Sequence, residues 1–391
     1  MHRRVALLSA VALTAAGALI PASAAAARAG TSATGLDPGP VRWSTTDSWS
    51  ERRTVSQYWT AQRMLAAEPL SSPAPRRASP DSPTQGSPWA TRGASTGARG
   101  GSGTWGGTGS GTWTGTGSGD TGGRVPYTIR GSSAGGGRSA PWSVGGTAPA
   151  GVRQVAQQAQ VPNSPGLRWT DGGAVVRTVG RVFFTTANGR NSSCSGTAVT
   201  SANESVVMTA GHCVKLNGAA HRNWVFVPGF DNGRRPFGTW VATRLLTTQQ
   251  WNAREDINFD VAAAVVAPLD GRTLTDVVGG QGVAFNQARR QQMYSFGYPA
   301  AAPFNGSRLI YCSGRSFDDT VMTRDLGLRC AMTGGSSGGP WFRNFDESTG
   351  LGWLNSVNSF KYNFAPDFMF GPFFGDEAQA VYQAAQRTNA L

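Results

Sequence analysis

Gly335-Ser336-Ser337-Gly338-Gly339-Pro340 is the stretch on which the reading of this chain turns. It sets a serine in a glycine turn, where missing side chains let a carbonyl group approach and leave backbone N–H groups free to face a developing negative oxygen. Upstream, Thr209-Ala210-Gly211-His212-Cys213 presents a histidine on a loop that a neighbouring disulfide can fix. Asp260 stands at the head of the apolar run Val261–Val266, where its carboxylate can be buried against an imidazole and select the required tautomer. Nucleophilic hydrolysis needs these three residue types together, and their order is His212, Asp260, Ser337.

Order discriminates among folds. Gly335-x-Ser337-x-Gly339 also fits the nucleophile elbow of α/β-hydrolases, but that fold places its histidine after the serine, and no histidine follows Ser337. A subtilisin arrangement runs Asp, His, Ser. Asp171 supplies that order, yet the chain lacks the alternating helices and parallel strands it requires. Asp256, four residues before Asp260, is the rival acid; Asp260 is preferred because it alone touches the apolar strand. His221 reads as a loop residue.

The surroundings of these motifs are β-rich. Val175–Thr185, Ser195–Thr200, Ser205–Thr209, Trp224–Val227, Trp240–Leu246, Asn258–Val266, Gly282–Phe285, Met293–Phe296, Leu309–Tyr311 and Trp353–Phe360 read as strands, and Asp376–Arg387 as a closing helix. All four cysteines, Cys194, Cys213, Cys312 and Cys330, fall in this region. Their spacings do not resemble paired zinc ligands, so no metal is expected. Disulfides are. Three pairings are possible, and the sequence-local one closes two loops worth about 3 kcal/mol each.

The rest of the 391 residues is different in kind. Met1–Ala24 carries a basic start, an apolar segment Val5–Ile20 and a small-residue cleavage site, and reads as an export signal too short to span a membrane stably. Residues 91–150 hold 20 glycines and 18 serines or threonines, residue types that cannot build a core. Within them GSGTWGGT (Gly101–Thr108) and GSGTWTGT (Gly109–Thr116) repeat, as in an expanded linker. Ser48-Trp49-Ser50-Glu51 has capping-box spacing, and Val55, Tyr58, Trp59, Gln62 and Leu65 or Ala66 follow at helical intervals. Such a helix is too short to bury its face alone, and is read either as a prosegment docking on the downstream domain or as a transient helix in the leader.

The net charge of +13 divides unevenly: residues 1–164 carry 15 arginines and 6 acids, whereas residues 165–391 carry 20 basic and 16 acidic groups. The positive excess therefore belongs mainly to the leader, and nucleic acid is not an expected partner.

Residues of roughly 170–390 resemble a secreted trypsin/chymotrypsin-like serine peptidase. Thr209–Cys213 and Gly335–Pro340 match its histidine and serine motifs, and Asp260-Val261-Ala262 its aspartate motif. The resemblance implies an all-β fold of two six-stranded antiparallel β-barrels with the site between them, to which the residue pattern adds a C-terminal helix and a largely disordered leader. It implies Ser337 as nucleophile, His212 as general base and then acid, Asp260 as orienting carboxylate, and the N–H groups of Gly335 and Ser337 as the oxyanion hole. The Cys194–Cys213 pairing corresponds to the family's histidine-loop disulfide. Ser359 resembles the substrate-binding strand.

Two departures matter. Ser336 stands where trypsin-type enzymes have an aspartate, a feature shared with the glutamyl endopeptidase branch, which Thr333-Gly334-Gly335 and Phe296-Gly297-Tyr298-Pro299 also resemble. Asn358, however, occupies the place of that branch's pocket histidine. At the pocket floor Ala331 offers no acid for an arginine or lysine, so neutral side chains are expected. The organisation expected is a signal peptide at 1–24, a prosegment at 25–90, a linker at 91–165 and a peptidase domain at 166–391. The chain is expected to be extracellular, monomeric, free of cofactors and of transmembrane segments, and to act on proteins or peptides. The competing readings are an inactive binding protein of the same fold and an esterase using the same triad.

Overall fold

The computed structural model describes residues 39–70, 73–75, 140–148 and 163–391; the stretch expected as an export signal and the glycine repeats lie outside them. Six strands, Val179–Thr185, Asn191–Val199, Val206–Thr209, Ala262–Val266, Trp240–Thr247 and Arg222–Pro228, close antiparallel into a barrel. Their sequences explain the closure. Val179–Thr185 and Ala262–Val266 are buried at every position; Ala262–Val266 accordingly reads as an unbroken apolar run, while Val179–Thr185 buries Arg181 among its apolar residues.

The C-terminal helix Asp376–Gln386 packs against this barrel. Ala378, Val381, Tyr382 and Ala385 recur at helical spacing and are buried, and the Tyr382 hydroxyl donates to Thr200 O at 2.6 Å. The acidic Asp376 and Glu377 occupy its first turn, where the helix dipole favours them.

In the second half the ladders run Trp142–Val144, Gly282–Phe285, Leu351–Val357, Pro340–Asp346, Gln292–Gly297, Ile310–Arg315, Leu167–Arg168, with a three-stranded sheet of Phe317–Asp318, Leu326–Arg329 and Phe368–Gly371 alongside. Gly282–Phe285 and Leu351–Val357 pair in parallel, the others antiparallel. The pairing thus forms an open sheet here rather than a second closed ring. The disulfides are Cys194–Cys213 and Cys312–Cys330.

Two stretches expected as strand are partly helical. Val175–Thr178 forms one helical turn because the carbonyl of Ala174 accepts from the N–H groups of Arg177 and Thr178 and from the Thr178 hydroxyl. Ile257–Phe259 is a 3-10 turn capped by the Asp256 side chain, which accepts from Asn258 N–H at 3.2 Å. The first turn ends where its barrel strand starts, and the second is separated from its strand by Asp260 and Val261.

Parts of the leader are ordered on this frame. Val41–Ser44 pairs with Trp240–Thr247, helices Trp49–Tyr58 and Ala61–Ala66 follow, and Glu68–Pro69 pairs with Asn191–Val199. The capping box at Ser48 forms as its spacing predicts, but the expected single helix is two: Trp59 and Thr60 interrupt it, and the Thr60 hydroxyl caps the second.

Candidate active site

Strands Val206–Thr209 and Ala262–Val266 are antiparallel neighbours with Thr209 opposite Ala262. The chain leaving the first and the chain entering the second therefore meet at one end of the barrel, and this register brings His212 to Asp260. His212 sits in the 3-10 turn Gly211–Cys213, tied to the adjacent strand by the Cys194–Cys213 disulfide. Gly211 lies so close to the Trp251 indole that a Cβ there would stand 2.7 Å from the ring.

Both side chains are wholly buried. Asp260 Oδ1 accepts the backbone N–H of His212 at 2.7 Å. Its Oδ2 lies 2.7 Å from His212 Nδ1 and also accepts from the Ser359 hydroxyl. With these donors converging on it the carboxyl acts as acceptor, so Nδ1 carries the proton and Nε2 keeps its lone pair. Among the described residues Nε2 has no hydrogen-bond partner. Asp256, as the cap of the 3-10 turn, is placed for structure.

His221 lies in the connection before Arg222–Pro228, as expected, but it is not an exposed loop residue. It is buried, stacks on Phe184 with ring centroids 4.2 Å apart, and its Nε2–H donates to the carbonyl of His212 at 3.0 Å. Burial pushes its pKa down to about 4, against a smaller raising effect of that hydrogen bond. It is a neutral brace behind the histidine turn. A lone histidine between an alanine pair and a strand carried no sequence signal for this.

Ser337 comes from the second half. Its loop is shaped by the main chain: Gly339 N–H donates to Ser336 O, Gly338 N–H to Asn358 O, and Asn358 N–H to Gly339 O. Gly338 has φ +76°, and a Cβ there would stand 2.1 Å from Thr209 Oγ1 and 2.8 Å from Ala210 N. Glycine at this position is what lets the serine loop lie against the residues that lead into His212. The strand Asn191–Val199 docks the loop from the other half, with Ser195 N–H donating to Ser337 O at 2.7 Å and the Ser195 hydroxyl to Gly335 O at 2.9 Å. Neither the Gly335 nor the Ser337 N–H is donated to any described residue.

Asn358 organises this loop with its side chain as well. Its Nδ2 donates to Ser336 O and Phe296 O, both at 3.1 Å, and its Oδ1 accepts from the Ser295 hydroxyl and the Trp341 indole, both at 2.7 Å. All of its hydrogen-bonding capacity faces the core. Ser336 turns inward too, its hydroxyl donating to Thr333 O at 2.8 Å.

Around the expected pocket, Ala331 is half-buried and its N–H donates to Pro165 O at 2.6 Å. The Lys361 ammonium donates to Cys330 O at 2.7 Å, and burial lowers its pKa to about 8, with Asp367 opposing. Asp325 is buried with Oδ2 unpartnered, and desolvation followed by the charges of Asp260 and Asp319 raises its pKa well above the carboxylate range. Cys194, His212 and Cys213 lie within ligand distance of one another, but both sulfurs are consumed in the disulfide, which leaves no thiolate to bind a metal.

Residues 194–351 match the model of the trypsin-like peptidase domain. Among solved structures, the protease Anisep from Arthrobacter nicotinovorans is 43% identical over 57% of this chain and 100% of that one, with a TM-score of 0.53. The thermostable serine protease AL20 from an extremophilic microorganism is 44% identical over 55% of this chain and 100% of its own, with a TM-score of 0.52. A Glu endopeptidase structure is 15% identical over 57% of this chain and 98% of that one, with a TM-score of 0.45, a far more distant likeness. No curated protein matches the chain.

Proposed function

The chain belongs to the trypsin-like peptidases, and on that premise we propose that it is a secreted serine endopeptidase working through Ser337, His212 and Asp260. The observation that carries this reading is the buried Asp260–His212 pair, which fixes the tautomer and leaves Nε2 as a base next to the serine loop. Ser337 Oγ attacks the scissile carbonyl carbon while His212 Nε2 takes its proton. The oxyanion is met by the N–H groups of Gly335 and Ser337, which no protein acceptor competes for among the described residues. The C–N bond then breaks as the imidazolium gives its proton to the departing amine. A water molecule repeats the sequence on the acyl-enzyme. Asp260 remains ionised throughout and steadies the imidazolium, with the Ser359 hydroxyl as its further donor.

Specificity is proposed for neutral side chains. Ala331 supplies no negative charge, and the Lys361 ammonium bonded to the adjacent Cys330 carbonyl repels a basic side chain. A preference for glutamate finds no support at Asn358, whose amide is fully engaged in the core. Among the described residues no helix is long and apolar enough to cross a membrane. The test is labelling with a fluorophosphonate probe. Wild type is expected to be modified and Ser337→Ala not, and a folded, secreted protein that resists the probe would sink the proposal. Mass-spectrometric profiling of a mixed peptide library checks specificity, dominant cutting after arginine or lysine being the adverse result.

A further inference from the structure

The stretch 39–70 is attached to the first barrel by a strand at each end and by buried anchors between them. Val41–Ser44 adds an antiparallel strand to Trp240–Thr247, and the hydroxyls of Thr45 and Thr46 both donate to Ala242 O. Trp59 is wholly buried, its indole donating to Asn223 O at 2.6 Å and its ring 5.5 Å from that of Phe183. Met64 is likewise buried. A tryptophan anchor in a desolvated socket, joined to an added strand, is how a peptide partner is held.

The far end of this stretch reaches the nucleophile loop. Leu70 N–H donates to Ser193 O at 3.1 Å, and two residues further along the same strand Ser195 N–H donates to Ser337 O at 2.7 Å. In a strand the C=O of one residue and the N–H of the residue two further on share an edge, so Leu70 and Ser337 occupy adjacent places on it. Gly334 gives the same result from the other side: a Cβ there would stand 3.4 Å from Leu70 O and 3.5 Å from Pro69 Cβ. Ser337 is only 2% exposed and His212 wholly buried.

A second stretch of the leader has its own anchor. Trp142–Val144 pairs with Gly282–Phe285, and the Trp142 ring lies 5.8 Å from those of Phe285 and Tyr382. The residues 76–139 are therefore flanked on both sides by docked segments.

We propose that residues 39–70 are a noncovalent partner of the first barrel, one that stays bound after the chain is cut between 76 and 139 and restricts Ser337 through Pro69–Leu70. The restriction rests on the peptidase reading of Ser337; the binding does not. To test it, a recognition sequence for an unrelated site-specific peptidase is inserted after Gly101 in the full chain, which is then cut and passed through size exclusion. The fragment holding 39–70 is expected to co-elute with the remainder, and its elution as a free peptide overturns the proposal. Trp59→Ala is expected to release the fragment from the cut chain, and undiminished retention counts against the anchor. In the cut chain, Leu70→Asp is expected to speed fluorophosphonate labelling of Ser337 on the order of tenfold, the equivalent of one contact worth about 1.4 kcal/mol. Equal labelling rates overturn the restriction and leave the peptidase reading intact. If neither form is labelled, the peptidase reading falls instead, and co-elution, which needs no catalysis, still decides the binding.

Discussion

The first barrel positions its part of the candidate site through side-chain hydrogen bonds, whereas the second half positions Ser337 mainly through main chain. His212 and Asp260 meet because two adjacent strands of a closed barrel end at the same rim, and side-chain hydrogen bonds then lock them. Ser337 and the N–H groups of Gly335 and Ser337 are placed by backbone turns at Gly338 and Gly339 and by the backbone and amide of Asn358. The acid–base pair should therefore be sensitive to the chemistry of individual groups, and the nucleophile loop to backbone shape.

The largest expected effect breaks the first side of that contrast. Asp260→Asn presents the wrong hydrogen-bonding group to Nδ1 and is expected to lower kcat by about 10⁴-fold with the fold intact, the scale of such a tautomer error in a Ser-His-Asp triad. Steady-state kinetics with circular dichroism check both halves of the statement. Gly338→Ala attacks the other side: with φ at +76° and Thr209 Oγ1 only 2.1 Å from the new Cβ, the loop must move away from the histidine turn. A loss of about 10²- to 10³-fold in kcat is expected, as when an oxyanion donor is misplaced. If kcat survived, the loop would be shown to tolerate a shift that its packing forbids.

Asn358→Ala removes the side-chain bonds to Ser336 O and Phe296 O and leaves the Trp341 indole unpaired. An unfolding free energy lower by roughly 1–3 kcal/mol is expected from the unsatisfied core groups, with a fall in kcat that exceeds any change in KM. Denaturant titration beside kinetics separates the two.

The last effect concerns pH and is confined to an acid window. His221 has a folded pKa near 4 against 6.5 for the free group, so between those values the unfolded chain binds the extra proton and stability falls as pH falls. Its acid-sensitive contribution is fully present above pH 6.5 and lost by about pH 4, roughly 3 kcal/mol at most. His221→Phe should flatten that limb of the stability profile in thermal melts across the window. An unchanged limb would remove His221 from the account of acid sensitivity.

What was legible and what was not follow a physical line. The two site motifs were visible because hydrolysis demands particular residue types in glycine-rich or disulfide-fixed loops. The strand pattern is visible in Ala262–Val266, whose apolar run marks full burial, and in the β-branched and aromatic residues of Val179–Thr185 despite its buried Arg181. Pro340–Asp346 does not read as a strand because it opens on the proline that closes the serine motif, nor does Phe368–Gly371, which lies between Pro366 and Pro372. Asp325 and His221 were invisible as buried groups, since nothing in a linear sequence records desolvation.

Residue type and short-range spacing alone carry the β-rich class, the order of the candidate site residues and the capping box at Ser48. Only the tertiary structure decided that Asn358 faces the core, that His221 braces His212, and that Leu70 lies beside Ser337. Each of those joins residues far apart along the chain, through strand register and burial that form only when the barrel closes.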